Sequence, residues 1–177
     1  MVVTKLSQHQ VAPHNGYFFD TNVWMFIYGP IAGTNSKKQS IYSKLLRDII
    51  SHKASIHISS LVLSEYINAV LHIGFNQWKR ATCSVNANFK RDYRVTQDYN
   101  DKLADAILQV RAILGVCEKR PDDFHIVDIN RILALMSKGA DYNDAYYLHD
   151  CEEIGLILVS DDSDIQKMQS KITLITA

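Results

Sequence analysis

Five acids stand where a carboxylate can do chemistry: Asp20, Glu65, Asp144, Asp162 and Asp164. Asp20 closes the apolar run Tyr17-Phe18-Phe19 and is followed by Thr21 and Asn22. Asp162 and Asp164 come after the run Leu156-Ile157-Leu158-Val159, in the polar string Ser160-Asp161-Asp162-Ser163-Asp164. Glu65 is the lone acid of the apolar stretch 61–73, and burying it bare would be costly, so it calls for a partner or a metal. Carboxylates gathered in one place repel, and each is driven toward its protonated form. A divalent cation resolves that conflict. Oxygen donors without cysteines or paired histidines favour Mg²⁺ or Mn²⁺ over zinc. Such a site suits hydrolysis of a phosphodiester, because a metal activates water and neutralises charge at phosphorus. The plainer alternative gives the acids ordinary work as helix caps, ion-pair partners or solvated charge. Asp141 fits a helix cap better than catalysis.

For these acids to meet, strands must deliver them to one edge of a sheet. The run 17–19 predicts a buried strand, and the apolar residues from Asn22 to Tyr28 predict a helix directly after it. Gly29, Pro30 and Gly33 then open a loop. A helix is expected over 36–52, with Ile41, Leu45, Leu46 and Ile49 on one face. Ser55-Ile56-His57-Ile58 alternates as a strand does, with His57 a strand-face residue, and Ser59 or Ser60 can cap the helix that follows. Another helix is expected over 99–116, striped by Leu103, Ile107, Val110 and Leu114. Residues 124–127 predict a third strand, and a helix over 129–138 begins at Asp128 or Asn130 and ends at Gly139. Asp141 caps a helix over 142–153 that Gly155 closes, with Asp144 in its first turns. Strands over 156–159 and 172–175 complete the pattern. Strands alternating with helices predict an α/β fold, a three-layer α/β/α sandwich around a mostly parallel sheet. In such sheets ligands bind beyond the carboxyl ends of the strands, where Asp20 and Asp162 would then lie.

The chain has 177 residues, 47% of them apolar and 21% charged, as expected of one soluble globular domain. Residues 1–16 read as a tail without the basic start and apolar core of a signal peptide, and 17–177 as the domain. No apolar run is long enough to span a membrane. Cys83, Cys117 and Cys151 lie far apart, as free thiols in a reducing, cytoplasmic setting would. The 19 basic and 19 acidic side chains balance, so no overall basic footprint points to nucleic acid. A local concentration does exist. The polar insertion around 76–99 interleaves Lys79, Arg80, Lys90, Arg91 and Arg94 with Trp78, Phe89 and Tyr93. Its rings can stack on bases, or dock on the core of a solvated insertion; both readings stay open.

Other chemistries lack their motifs. No G-x-x-x-x-G-K-[ST], G-x-G-x-x-G or G-x-S-x-G occurs. A phosphatase with an aspartyl nucleophile would want an acid two positions after Asp20, where this chain has Asn22.

Four pieces taken together resemble the PIN domain family, which includes VapC-like toxin ribonucleases. They are Phe19-Asp20-Thr21-Asn22, Ile58-Ser59-Ser60-Leu61-Val62-Leu63-Ser64-Glu65-Tyr66, Tyr142-Asn143-Asp144-Ala145 and Leu158-Val159-Ser160-Asp161-Asp162-Ser163-Asp164. The resemblance implies that Asp20, Glu65, Asp144 and Asp162 are catalytic and bind metal, with Asp164 a more variable contributor. It implies supporting roles for Thr21, Asn22 and Ser160. It further implies a Mg²⁺- or Mn²⁺-dependent endoribonuclease leaving a 5′-phosphate and a 3′-hydroxyl. Many family members are homodimeric toxins masked by a small antitoxin protein. Two alternatives share the fold: a non-catalytic module binding RNA or a partner protein, and a DNA-directed nuclease with the same site.

Overall fold

The computed structural model describes residues 1–121, 124–168 and 170–177. Among the described residues, six strands lie in one sheet: β1 (Val2–Lys5), β2 (Gly16–Phe19), β3 (Ser55–Ile58), β4 (Glu118–Lys119), β5 (Ile157–Val159) and β6 (Thr173–Thr176). Their spatial order is β1-β6-β5-β2-β3-β4, and every pairing is parallel. The described α-helices connect and flank them: α1 (Thr21–Ile27), α2 (Ser36–Ser51), α3 (Ser60–Ala81), α4 (Gln97–Leu114), α5 (Ile129–Met136), α6 (Tyr142–Ile154) and α7 (Ser163–Lys167). The fold is thus α/β with a central parallel sheet between helical layers, as expected. None of the described helices is long and apolar enough to cross a membrane.

The sheet's centre explains its sequence. Tyr17, Phe18 and Phe19 are all fully buried, because β2 has strands on both edges and helices on both faces. Parallel strands in such a sandwich read as continuous apolar runs without alternation. Phe18 packs against Tyr147 of α6 and Phe19 against Trp24 of α1, with ring centroids 5.3 and 5.0 Å apart. The strand ends at Phe19, and Asp20, in extended backbone, precedes the first turn of α1. Asp20 is therefore delivered at the carboxyl end of the most buried strand.

Several caps follow the sequence. Ser59, not Ser60, accepts from the Val62 amide at the start of α3. Asp128, not Asn130, accepts from the Arg131 amide of α5, and Asp141 accepts from the Asp144 amide of α6. Each supplies an acceptor to an otherwise orphaned helical N–H.

Three expectations change. The strand expected over 124–127 is a 3-10 turn at Phe124–Ile126. Its place beside β3 is taken by the two-residue β4, whose Glu118 and Lys119 pair with His57 and Ile58. Phe124 and Ile126 stay exposed, so their β-favouring side chains find no neighbouring strand to pack on. Residues 1–16 are more than a tail: Val2–Lys5 adds to the outer edge of β6, and Gly16 already belongs to β2. The mixed apolar and polar start of the chain suits an edge strand, which needs only one partner. Finally, α3 runs on to Ala81 and α4 starts at Gln97, so 76–99 forms the tip of a long helical hairpin.

Gly155 closes α6 in the left-handed region, at φ 69°, and turns the chain into β5. A methyl group there would meet open space, so its cost is conformational alone. Gly155→Ala should destabilise the protein by about 1 kcal/mol, lowering Tm by about 2–4 °C. Gly33, where an added methyl also meets nothing, is not in the left-handed region and should tolerate Ala without loss. Equal melting of the two variants by calorimetry would contradict this account.

Candidate metal centre

Four segments supply the site: the β2–α1 junction, the second turn of α3, the first turn of α6 and the segment after β5. The polypeptide locks the first and last together. The Asp20 amide donates to the Val159 carbonyl and the Ser160 amide to the Ile175 carbonyl, extending the ladder past the assigned strands. Side chains then complete the joint. Ser160 Oγ donates to Asp20 Oδ2 at 2.6 Å, while it accepts from Asn22 Nδ2 at 3.2 Å and from the Asp162 amide at 3.0 Å. Asn22 Nδ2 also donates to Asp20 Oδ2, at 2.5 Å. One hydroxyl thereby uses both its donor and its acceptor capacity to hold Asp20, Asn22 and Asp162 in register.

Glu65 is held from two sides. Thr21 Oγ1 and the Tyr147 hydroxyl both donate to its Oε2, each at 2.8 Å. Thr21 thus acts on the α3 acid, where support of Asp20 was expected; Asn22 and Ser160 supply that support. Tyr147 was not singled out from the sequence. Its position three residues after Asp144 was the available signal, since that spacing places both on one face of a helix.

The acids are electrostatically close. Burial pushes the Asp20 carboxyl up to about 7; Ser160 and the Thr21 amide oppose the rise, and the charges of Glu65 and Asp162 add to it. Burial also pushes Asp144 up to about 8, followed by the charges of Asp141, Asp20, Asp162 and Glu65. Asp20 is 5% exposed. The strongest charged neighbours of Asp144 are therefore all carboxylates, so negative charge is concentrated around it.

Asp164 is not drawn into this group. It is exposed and pairs with Lys167 Nζ at 2.8 Å, which holds its carboxyl below the usual range. Its amide donates to Asp162 Oδ1, so Asp162 also caps α7. Asp161 turns away as well. It accepts from Lys38 Nζ at 2.7 Å, from Thr176 Oγ1 and from the Ala177 amide. That latch ties α2 and the chain end to the exit of β5, and it fixes the flanking Ser160 and Asp162.

Whether these residues suit a divalent ion has two sides. Among the described residues, no three His, Cys, Asp or Glu side chains are arranged to grip one ion. The donor chemistry nevertheless fits a hard cation: all-oxygen ligands, mutual repulsion and two carboxyls driven toward protonation. A bound cation would reverse that drive, since metal and proton compete for the same oxygens.

The basic-aromatic tip has a different use for its rings. His72 stacks on Phe89 at 4.5 Å, and Phe75, Trp78, Phe89, Tyr93 and Tyr99 form a continuous cluster. Lys79 lies over Phe75 and Arg94 over Phe89. The aromatics serve as the small core of the hairpin tip.

A model of the family described as "PIN domain" matches residues 17–171, and the chain belongs to that family. Solved structures share the fold at low identity. VapBC2 from Rickettsia felis, in a crystal structure bound to a DNA fragment from their promoter, is 16% identical with a TM-score of 0.58, covering 92% of this chain and 98% of that one. PAE2754 from Pyrobaculum aerophilum is 17% identical with a TM-score of 0.50, covering 90% and 89%. No curated protein matches.

The raised carboxyls have a thermodynamic consequence. Burial holds the folded carboxyls of Asp20 and Asp144 up at about 7 and about 8, against 3.8 for an unperturbed aspartate. The folded state therefore binds more protons than the unfolded state between those limits, and stability falls as pH rises. This contribution is full below about pH 4, declines toward pH 7–8 and is gone above. In metal-free buffer, Asp20→Asn should match the wild type near pH 4 and exceed its stability at pH 8.5 by on the order of 2 kcal/mol. Denaturant melts across that range check it. A variant no more stable than the wild type at pH 8.5 would contradict it.

Proposed function

We propose that this chain is a divalent-metal-dependent endoribonuclease that hydrolyses RNA to 5′-phosphate and 3′-hydroxyl products. The single observation that carries the reading is that Asp20, at the carboxyl end of a central parallel strand, and Asp144, on the first turn of α6, each feel the charges of Glu65 and Asp162, with carboxylates as their leading charged neighbours. These four would hold Mg²⁺ or Mn²⁺, and Asp164 would join on breaking its pair with Lys167. The ion would supply Lewis-acid activation of water and neutralise charge at the phosphodiester. Asn22 and Ser160 orient Asp20; Thr21 and Tyr147 orient Glu65. The proposed setting is cytoplasmic, as the toxin of a toxin–antitoxin pair, with a homodimeric assembly and a small antitoxin partner. The fold shared with VapBC2 supports the antitoxin partner in that reading.

In a Mg²⁺ assay on single-stranded RNA, Asp20→Asn should lose on the order of 100-fold or more in cleavage rate, because a ligand is lost. Ser160→Ala, which removes the hydrogen bond orienting Asp20, should lose about 10–100-fold. An Asp20→Asn preparation as active as the wild type would overturn the assignment.

A second reading, a non-catalytic PIN module for RNA or a partner protein, is favoured by one observation: among the described residues, no three acids are arranged to grip an ion. A folded protein that takes up no Mn²⁺ in calorimetry and cleaves neither RNA nor DNA would establish it. Cleavage of DNA in preference to RNA would redirect the substrate, since carboxylate ligands do not read a 2′-hydroxyl.

A further inference from the structure

The solvent face of α3 is nearly free of charge. Over its 22 residues the helix carries one acid, Glu65 of the site, and two cations, Lys79 and Arg80, at its far end. Exposed residues between them mark one i, i+4 ridge, Ser64, Asn68, His72 and Asn76, which ends at Arg80. A solvated helix face ordinarily holds charged side chains. This ridge holds a hydroxyl, two amides and an imidazole. Among the described residues, none bonds to the side chain of Ser64, Asn68 or Asn76. The ridge begins beside Glu65, and Lys79 lies about 20 Å from that residue along the helix axis.

The ridge leads to the hairpin tip, where charge is concentrated. Residues 76–99 hold five basic and two acidic side chains, a net +3, against 14 basic and 17 acidic elsewhere, a net −3. Both acids of the tip are engaged within it. Asp92 pairs with Arg91 and accepts from the Asn88 amide, and Asp98 accepts from the Tyr93 hydroxyl. The ring cluster anchors the cations: Lys79 Nζ lies 5.3 Å from the Phe75 ring centre, and the Arg94 guanidinium 5.6 Å from that of Phe89. Rings held this way keep the positive charge and fix where it sits. Arg80, Lys90 and Arg94 are exposed around them.

We propose that the α3 ridge and the hairpin tip form one track for the nucleic-acid backbone, running from the phosphodiester at the acids to the cations at the hairpin's end. The inference rests on the ribonuclease reading and adds to it a contact region remote from the metal. At the tip, cations meet phosphates; along the ridge, hydroxyl and amide groups meet phosphate and sugar oxygens. A carboxylate on the ridge would repel the strand, and the ridge has none. Because the rings of the tip pack on one another, the track holds backbone and reads no base. Its consequence is a dependence on length, since an RNA too short to pass from Glu65 to Lys79 forgoes the attraction of the tip. An acidic protein segment would also satisfy the cations. The acid-free ridge that joins them to the site favours a strand already lying at the cut.

The test uses the full chain with a long single-stranded RNA of mixed sequence and with a dinucleotide. Binding is read by fluorescence anisotropy in the Asp20→Asn protein, and cleavage in otherwise wild-type protein with Mg²⁺. The tip variant combines Arg80→Gln, Lys90→Gln and Arg94→Gln. A control removes the same charge elsewhere, through Lys37→Gln, Lys53→Gln and Lys138→Gln; all six residues are exposed. The tip variant should bind the long RNA about ten-fold or more weakly, and its slope of log Kd against log salt should fall by about 2, while the control keeps both. The preference of the enzyme for the long RNA over the dinucleotide in kcat/KM should shrink by the same factor. Asn68→Ala and Asn76→Ala should each weaken binding of the long RNA about five-fold. Alanine is the better helix former, so that loss cannot come from a weakened helix. A tip variant with the wild-type affinity and salt slope would overturn the track and leave the nuclease standing. Tip-dependent binding with no cleavage by any of the proteins would overturn the nuclease and leave the track. Tip dependence with full affinity in both alanine variants would overturn the continuity of the track. A tip variant that loses a glutamate-rich peptide but keeps its affinity for RNA would assign the cations to a protein partner and overturn the proposal.

Discussion

A carboxylate at the end of a fully buried strand is the constraint on which the rest of this structure depends. β2 lies between β5 and β3 and beneath helices on both faces, so Asp20 emerges into a region already stripped of water. Desolvation opposes its charge, and Glu65 and Asp162 oppose it further. The fold answers with hydrogen bonds from the residues around it. Ser160 and Asn22 hold one oxygen of Asp20, and the same Ser160 receives the Asp162 amide. These bonds fix the carboxylate's position without cancelling its charge. Oxygen ligands held in this way suit a hard divalent cation, which competes with protons for the same oxygens.

The outer supports follow from the same constraint. Asp161 binds Lys38 and the chain end, keeping a third charge of the Ser160–Asp164 string away from the cluster. Asp164 is drawn outward by Lys167. Of the three acids in the Ser160–Asp164 string, Asp162 alone therefore contributes to the charge felt by both Asp20 and Asp144, and the other two are paired elsewhere. The division keeps the repulsion within what Thr21, Asn22, Ser160 and Tyr147 can hold in place.

Much of this was legible because local patterns coincide with tertiary roles. The run Tyr17-Phe18-Phe19 ends in an acid because the strand stops where the sheet edge begins, and the β5 run ends likewise. Ser59, Asp128 and Asp141 declare helix starts through the same hydrogen bonds that the structure contains. What the sequence hid was relational. Val2–Lys5 becomes a strand only because β6 presents an edge, and Glu118–Lys119 displaces 124–127 because β3 has one free side. The exchange of partners, with Thr21 serving Glu65, depends on how α1 faces α3. Aromatic residues were ambiguous for a similar reason. Spacing cannot say whether rings pack on one another, as at the hairpin tip, or border a cavity, as Tyr142 and Tyr146 do.

Proton release on metal binding tests the central claim most directly. If the cluster exchanges protons for a divalent ion, Mn²⁺ binding to the wild type at pH 7 should release about one proton, given carboxyls near 7 and 8. Calorimetric titrations in buffers of different ionisation enthalpy measure that number. The account predicts a buffer-dependent heat that shrinks in Asp20→Asn and Asp144→Asn. Binding with a buffer-independent heat, or no binding by the folded protein, would contradict it.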